Sequence, residues 1–273
     1  MDKKNLIVAF DFTPIGEIAL NHALVTAKPI GATVYLLNVV ETSKDVAPTL
    51  ERLKELIANL NTSVEVLPIV RIGSIFDDIA NVAEEQFAEL IFMGTHGAKG
   101  WQHIVGSHAL RVVTSSSIPF IITQERDIRP NGFQNIVVPL DLAKETKQKL
   151  VHVANLAKYF DSKIHIITPR EKDPSLTKII NDNIALTKNF LDKRDIDYTT
   201  EILDPTGFDK QIVKYAVRVD ADLIAIMNLN QPSIFGLIAA NYEQYIITND
   251  AKIPTLIVNP LATVNKTFFL TRQ

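Results

Sequence analysis

Short, continuously apolar runs alternate along the chain with longer segments in which apolar residues recur every three or four positions. The first run, residues 5–10, has the length and uniform hydrophobicity of a strand buried on both faces of a parallel sheet, and it closes on Asp11. Thr13 and Pro14 then supply an N-cap and a first-turn proline. Ile18, Ala19, His22, Ala23 and residues 25–27 follow as a helical stripe that Pro29, Ile30 and Gly31 end. Residues 33–40 predict a second strand. A polar stretch from Glu41 to Pro48 leads into a helix with Leu50, Leu53, Leu56, Ile57 and Leu60 on one face, and residues 64–70 predict a third strand. Ser74 caps a helix bearing Ile75, Ile79, Val82 and Ala83, while residues 90–93 and 118–123 predict strands four and five. Strand and helix in strict alternation predict a mostly parallel sheet covered on both faces.

After a polar, proline-bearing join at residues 126–134 the pattern starts again. Residues 135–141 superpose on 5–11, placing Asn135 on Asn5 and Asp141 on Asp11; the same register places Ala157 on Ala27, residues 164–167 on 34–37 and Glu171 on Glu41. With small insertions, Phe208 and Asp209 match Phe76 and Asp77, residues 222–227 match 89–93, and Ile253-Pro254 matches Ile118-Pro119. The expected organisation is therefore two tandem α/β domains, residues 1–130 and 131–273, the second carrying a C-terminal tail beyond about Pro260. The charged residues of 172–195, interleaved with Ile179, Ile180, Ile184, Leu186, Phe190 and Leu191, predict a long amphipathic helix.

The chemistry concentrates between the fourth strand and the helix after it. Gly94, Gly97 and Gly100 lie within seven residues, and Gly106 and Ser107 precede the apolar series Ala109, Leu110, Val112 and Val113. Glycines without Cβ atoms let backbone N–H groups converge on an anion, and a helix start adds free N–H groups and a favourable dipole. The segment reads as a phosphate cradle; a glycine-rich turn closing a strand-to-helix corner explains the same residues. In the second half the corresponding stretch, Asn228 to Gly236, lacks the paired glycines and contains Pro232.

The repeat and the loop together resemble the universal stress protein family in its tandem form, over all but the tail. The resemblance rests on residues 8–11, 89–97, Gly106-Ser107 and Ile118-Pro119. It implies, for each domain, a doubly wound five-stranded parallel sheet of order 3-2-1-4-5, the adenine nucleotide alpha hydrolase-like fold. It also implies ATP as ligand, with or without Mg2+. By the family's pattern Gly94, Gly97, Gly106 and Ser107 hold the triphosphate, Asp11 faces the nucleoside, and the backbone at Val39 and Val40 contacts adenine. Eight residues separate Gly97 from Gly106 where the family pattern has nine, and a loop shortened by one residue can re-aim an N–H pair. The order 3-2-1-4-5 independently points to strands one and four, because ligands of open α/β sheets gather where the strand order reverses.

Composition narrows the function further. A net charge of −3 and a pI near 6.1 give no general electrostatic attraction for nucleic acid or anionic membrane. No apolar run approaches a membrane span, and the absence of cysteine excludes thiolate chemistry and fits a cytoplasmic setting. His96, His103 and His108 are spaced wrongly for one helical turn, so no metal site is expected, and Ser115 to Ser117 has no His/Asp partners for nucleophilic catalysis. Three classes of function stand: a nucleotide-responsive stress or signalling module acting on a protein partner, a ligand-free adaptor, and at most a weak ATPase. The oligomeric state is left open. Finally, residues 120–122 and 255–258 are too apolar to remain an unpaired edge, so the two fifth strands are expected to pair with each other.

Overall fold

The computed structural model describes residues 4–95, 113, 116–140, 142, 147–228 and 239–260. Ten strands form one continuous sheet of order β3-β2-β1-β4-β5-β10-β9-β6-β7-β8. The first half contributes β1 (Asn5–Ala9), β2 (Thr33–Val40), β3 (Val66–Ile72), β4 (Ala88–Gly94) and β5 (Phe120–Thr123). The second contributes β6 (Asn135–Pro139), β7 (Lys163–Pro169), β8 (Tyr198–Leu203), β9 (Leu223–Met227) and β10 (Thr255–Val258). Each half is parallel and carries the order 3-2-1-4-5. The halves join where β5 meets β10 antiparallel, with Ile122 opposite Thr255 and Phe120 opposite Ile257. Pairing consumes both apolar edges, as their composition required.

Among the described residues the α-helices are α1 (Pro14–Ile30), α2 (Val46–Ala58), α3 (Ile75–Glu85), α4 (Lys149–Phe160), α5 (Pro174–Asp192), α6 (Phe208–Arg218) and α7 (Ala239–Ile247). Thr13 caps α1 through its hydroxyl, which accepts from Gly16 N at 3.1 Å, and Asp173 caps α5 by accepting from Ser175 N and Leu176 N. Pro29 does not stop α1. It sits in the last turn, and Gly31 in the left-handed region ends the helix. The third strand lies two residues later than its apolar run suggested, because Val66 rather than Val64 pairs with Val34.

Alternate strand residues feed two hydrophobic layers. Leu6, Val8, Phe92, Ile121, Ile136, Val138 and Leu256 face α1, α2, α4 and α5, whereas Ile7, Ile91, Phe120, Val137, Ile224 and Ile257 face α3, α6 and α7. Each layer runs through both halves, so the pseudo-two-fold axis passes through packed core instead of a hinge.

The linker is part of that core. Gly132 has φ 71, and a Cβ there would meet the Phe160 ring at 2.2 Å. Glycine therefore lets the chain lay Phe133 edge-on to Phe160, with ring centroids 5.5 Å apart, and beside the His22 ring at 6.4 Å. His22 is only 1% exposed and its Nδ1–H donates to Ile18 O at 2.9 Å. Burial pushes its pKa down to about 4, with the Ile18 carbonyl and Asp127 opposing that shift and Arg126 adding to it. The folded value lies below the unfolded one near 6.5, so His22 has no effect on the pH dependence of stability above that pH. Stability should fall as pH drops from about 6.5 towards 4, by up to ~3 kcal/mol. Urea melts at pH 7 and pH 4.5 check this: His22→Gln should be less stable at pH 7 yet lose less between the two pH values. An equal loss in both proteins would contradict the assignment.

Candidate functional site

The strand order reverses between β1 and β4, and their carboxyl ends bring Asp11 and Gly94, two of the residues expected at the site, to one edge. Ala9 lies opposite Met93, so Asp11 and Gly94 leave adjacent strands at the same edge, with Val39 and Val40 closing β2 on the other side of β1. Gly94 does not have a positive φ; its requirement is space. A Cβ at Gly94 would lie 2.7 Å from both Ile15 O and Ile15 Cγ2, so the first turn of α1 sits directly against the end of β4. Gly16 plays a related part, since a Cβ there would reach Asp11 Oδ1 at 2.7 Å. Neither close approach is readable from apolar periodicity.

Asp11 is exposed and its Oδ1 accepts from Thr13 N at 3.0 Å and Thr13 Oγ1 at 2.5 Å, an Asx turn that leads into α1. Val40 O accepts from Gly73 N at 3.0 Å, so that carbonyl extends the β2–β3 ladder. Thr95 N continues the sheet by donating to Thr123 O at 2.9 Å, but the buried Thr95 and Thr123 hydroxyls have no hydrogen-bond partner among the described residues. Such hydroxyls are costly unless something accepts or donates at them. Gly97, Gly106 and Ser107 lie outside the described residues, as do His96, His103, His108 and Asp141.

Three neighbours escaped the sequence reading. Asn38 Nδ2 donates to Phe10 O at 2.8 Å and fixes the chain as it leaves β1. Phe12, at φ 60, stacks its ring under the Arg52 guanidinium at 3.9 Å, which places a cation from α2 beside the turn that holds Asp11. An asparagine inside an apolar run was the available signal for Asn38; for Arg52 there was none, because it lies among other charged residues of a helix face.

The ladders also correct the internal alignment. Ile91 N and Ile224 N donate to Pro119 O and Pro254 O, and Thr95 N and Asn228 N donate to Thr123 O and Val258 O. Ile91 therefore corresponds to Ile224, and Gly94 to Met227, one position away from the match of Met227 with Met93. The helix before β9 shifts too: buried Ile79 and Ala83 answer Ile212 and Ala216, so Ile75, not Phe76, answers Phe208. In the second half Met227 is 2% exposed. Asn228 Nδ2 donates to Asn259 Oδ1 at 2.6 Å, and Asn259 in turn donates to Ser116 O of the first half. Lys149, also 2% exposed, stands where the first half has Ala19 and donates to Pro139 O at 2.6 Å. The second switch point is filled by side chains committed to the fold.

Among the described residues no group of three or more His, Asp or Glu is placed to hold a metal ion, and no helix is long and apolar enough to cross a membrane.

Residues 3–124 match the model of the universal stress protein family. A universal stress protein of Methanocaldococcus jannaschii is 28% identical over 140 residues, covering 45% of this chain and 82% of that protein. The crystal structure of a universal stress protein from Archaeoglobus fulgidus DSM 4304 is similar over 94% of this chain and 96% of its own, with TM-score 0.74 and 16% identity. A Pseudomonas aeruginosa PAO1 protein of unknown function is similar over 95% of this chain and 93% of its own, with TM-score 0.66 and 16% identity. Over its first half, then, the chain is similar to the universal stress protein family. At 16% identity the structural likenesses speak for the fold alone, which is the tandem, doubly wound one described above.

Proposed function

We propose that the chain is a stress-response or signalling module, with functional units 1–130 and 131–273, whose first half takes one adenine nucleotide and whose second half takes none. The observation that carries this reading is the contrast at the two switch points: Gly94 against the backbone of Ile15 in one half, buried Met227 in the other. ATP, with or without Mg2+, fits the first site in kind. Gly94, Gly97, Gly106 and Ser107 would hold the phosphates by N–H groups, Asp11 would face the nucleoside, and the backbone at Val39 and Val40 would contact adenine. Bound nucleotide supplies a signal in this reading, through a changed surface offered to a protein partner in the cytoplasm; no catalytic step is assigned to any residue. The ligand-free adaptor is favoured by a different observation, that Asp11 Oδ1 and Val40 O already have partners within the chain.

Nucleotide copurifying with the protein, identified by absorbance and mass after denaturation, tests the reading at once. Calorimetric titration with ATP should give a stoichiometry near one. Gly97→Val should abolish the heat while Gly236→Val leaves it, because only the first substitution fills a predicted phosphate cradle. At a hundredfold excess over Kd, ligand should stabilise the fold by about 2.7 kcal/mol. No heat and no thermal shift at millimolar ATP would decide for the adaptor.

A further inference from the structure

A cavity of about 250 Å³ lies between the halves at the amino-terminal ends of β4 and β5. Its walls include Ile30 of α1, Leu90, Ile118, and His152, Leu156 and Tyr159 of α4. It is smaller than the roughly 300–1,000 Å³ of most small-molecule sites. Its size suits one or two side chains.

The pseudo-two-fold axis gives this cavity a counterpart, and the counterpart is filled. By the strand and helix registers His22 answers His152, Phe160 answers Ile30, and Leu223 answers Leu90. Between His22 and Phe160 stands the fully buried Phe133 of the linker. Phe133 is the tenth residue beyond the end of β5 at Thr123. The tenth residue beyond the end of β10 at Val258 is Phe268, in the segment 261–273 that lies outside the described residues.

A second correspondence is independent of that one. The linker is held by Arg126 and Arg129, which reach Asp220 at 3.7 and 2.5 Å and Asp222 at 3.9 and 3.4 Å. Asp220, at φ 51, answers Phe87, at φ 50, and Phe87 is 85% exposed. Counted from β10, the residues that answer Arg126 and Arg129 are Leu261 and Val264. Where one half pairs charge with charge, the other has apolar residues on both sides. Asp222 has its counterpart in Glu89, which meets Lys4 at 3.2 Å.

The start of the path is also set. Asn259, the first residue past β10, donates to Ser116 O at 2.8 Å and to Val113 O, which brings the chain to the segment that carries Ile118 into the cavity wall. The matching contact on the other side is Gln124 Nε2 to Asn249 O at 3.3 Å.

We propose that the C-terminal segment crosses the first half as the linker crosses the second, laying Leu261 and Val264 over Phe87 and seating Phe268 in the cavity against Ile30 and His152. The occupant is the chain's own tail, and the exposed Phe87 is part of its track.

The absence of cysteine makes a direct test clean. In the full chain, Thr267→Cys, which keeps the Phe268 ring, combined with Asn155→Cys at the cavity rim should form an intramolecular disulfide on mild oxidation, leaving a monomeric species two mass units lighter by the loss of two hydrogens. Thr267→Cys combined with Val217→Cys, on α6 at the opposite face of the sheet, should not. No disulfide in the first pair, equal yields in both, or a disulfide found only between two chains would overturn docking in cis. As a second measurement, Phe268→Ala should raise amide hydrogen exchange in residues 149–160 about tenfold relative to the unsubstituted chain. Unchanged exchange in that helix would equally refute the proposal. Neither readout depends on nucleotide.

Discussion

Phe133→Ala should lower the melting temperature by on the order of 10 °C without splitting the unfolding transition. The ring is fully buried, and truncating a buried phenylalanine to alanine costs about 3–5 kcal/mol through lost transfer energy and the residual cavity. For a chain of this size each kcal/mol corresponds to roughly 2–4 °C. The site has little freedom to collapse. Phe133 is wedged between His22 on α1 and Phe160 on α4, and Gly132 already brings the backbone into contact with the Phe160 ring. The single transition is the more telling part. Both hydrophobic layers are continuous through β5 and β10, so unfolding one half strips an edge strand and half of each layer from the other. Calorimetry that resolved two transitions in the wild type, only one of them moved by the substitution, would show the halves to be energetically separate.

Most strands of this fold were legible as apolar runs bounded by polar residues, and β2 was read to the residue for that reason, whereas β8, with Thr199, Thr200 and Glu201 in its middle, offers no such run and was not predicted. Register was less legible. Residues 223–227 are apolar throughout and offer no internal mark, so matching methionine to methionine placed Met227 one position wrong, while the hydrogen bonds counted from Pro119 and Pro254 give it the position of Gly94. The same limit applies to α3 and α6, where one residue of offset changes which side chains face the sheet without changing the helical stripe. At the candidate site, Asp11 and Gly94 could be named from the sequence because each ends a strand at the switch point. The reason Gly94 must be glycine could not. It lies in the distance to Ile15, across a helix whose approach depends on packing far from the loop. The cavity at His152 was beyond sequence reading altogether, since it emerges only when one half is laid over the other in three dimensions.

The two halves have diverged in opposite directions at equivalent places, which makes the site testable by reciprocal substitutions. Gly94→Ala adds a single Cβ, 2.7 Å from Ile15 O, a contact that backbone must yield to. Overpacking of this kind costs about 1–3 kcal/mol of stability. If the first half binds nucleotide, displacement of the α1 start and the β4 end should weaken binding at least tenfold, about 1.4 kcal/mol. Alanine is the informative choice because Gly94 has an ordinary φ, so steric contact is the effect isolated. The reciprocal change, Met227→Gly, should cost about 2–5 kcal/mol for the deleted buried side chain and create no second site. Asn228 remains tied to Asn259, and Lys149 remains at Pro139 O. Calorimetric titration of both variants measures affinity and stoichiometry, and circular dichroism establishes that each is folded. A stoichiometry approaching two in Met227→Gly would mean that this one side chain is what closes the second half, and wild-type affinity in folded Gly94→Ala would remove Gly94 from the site.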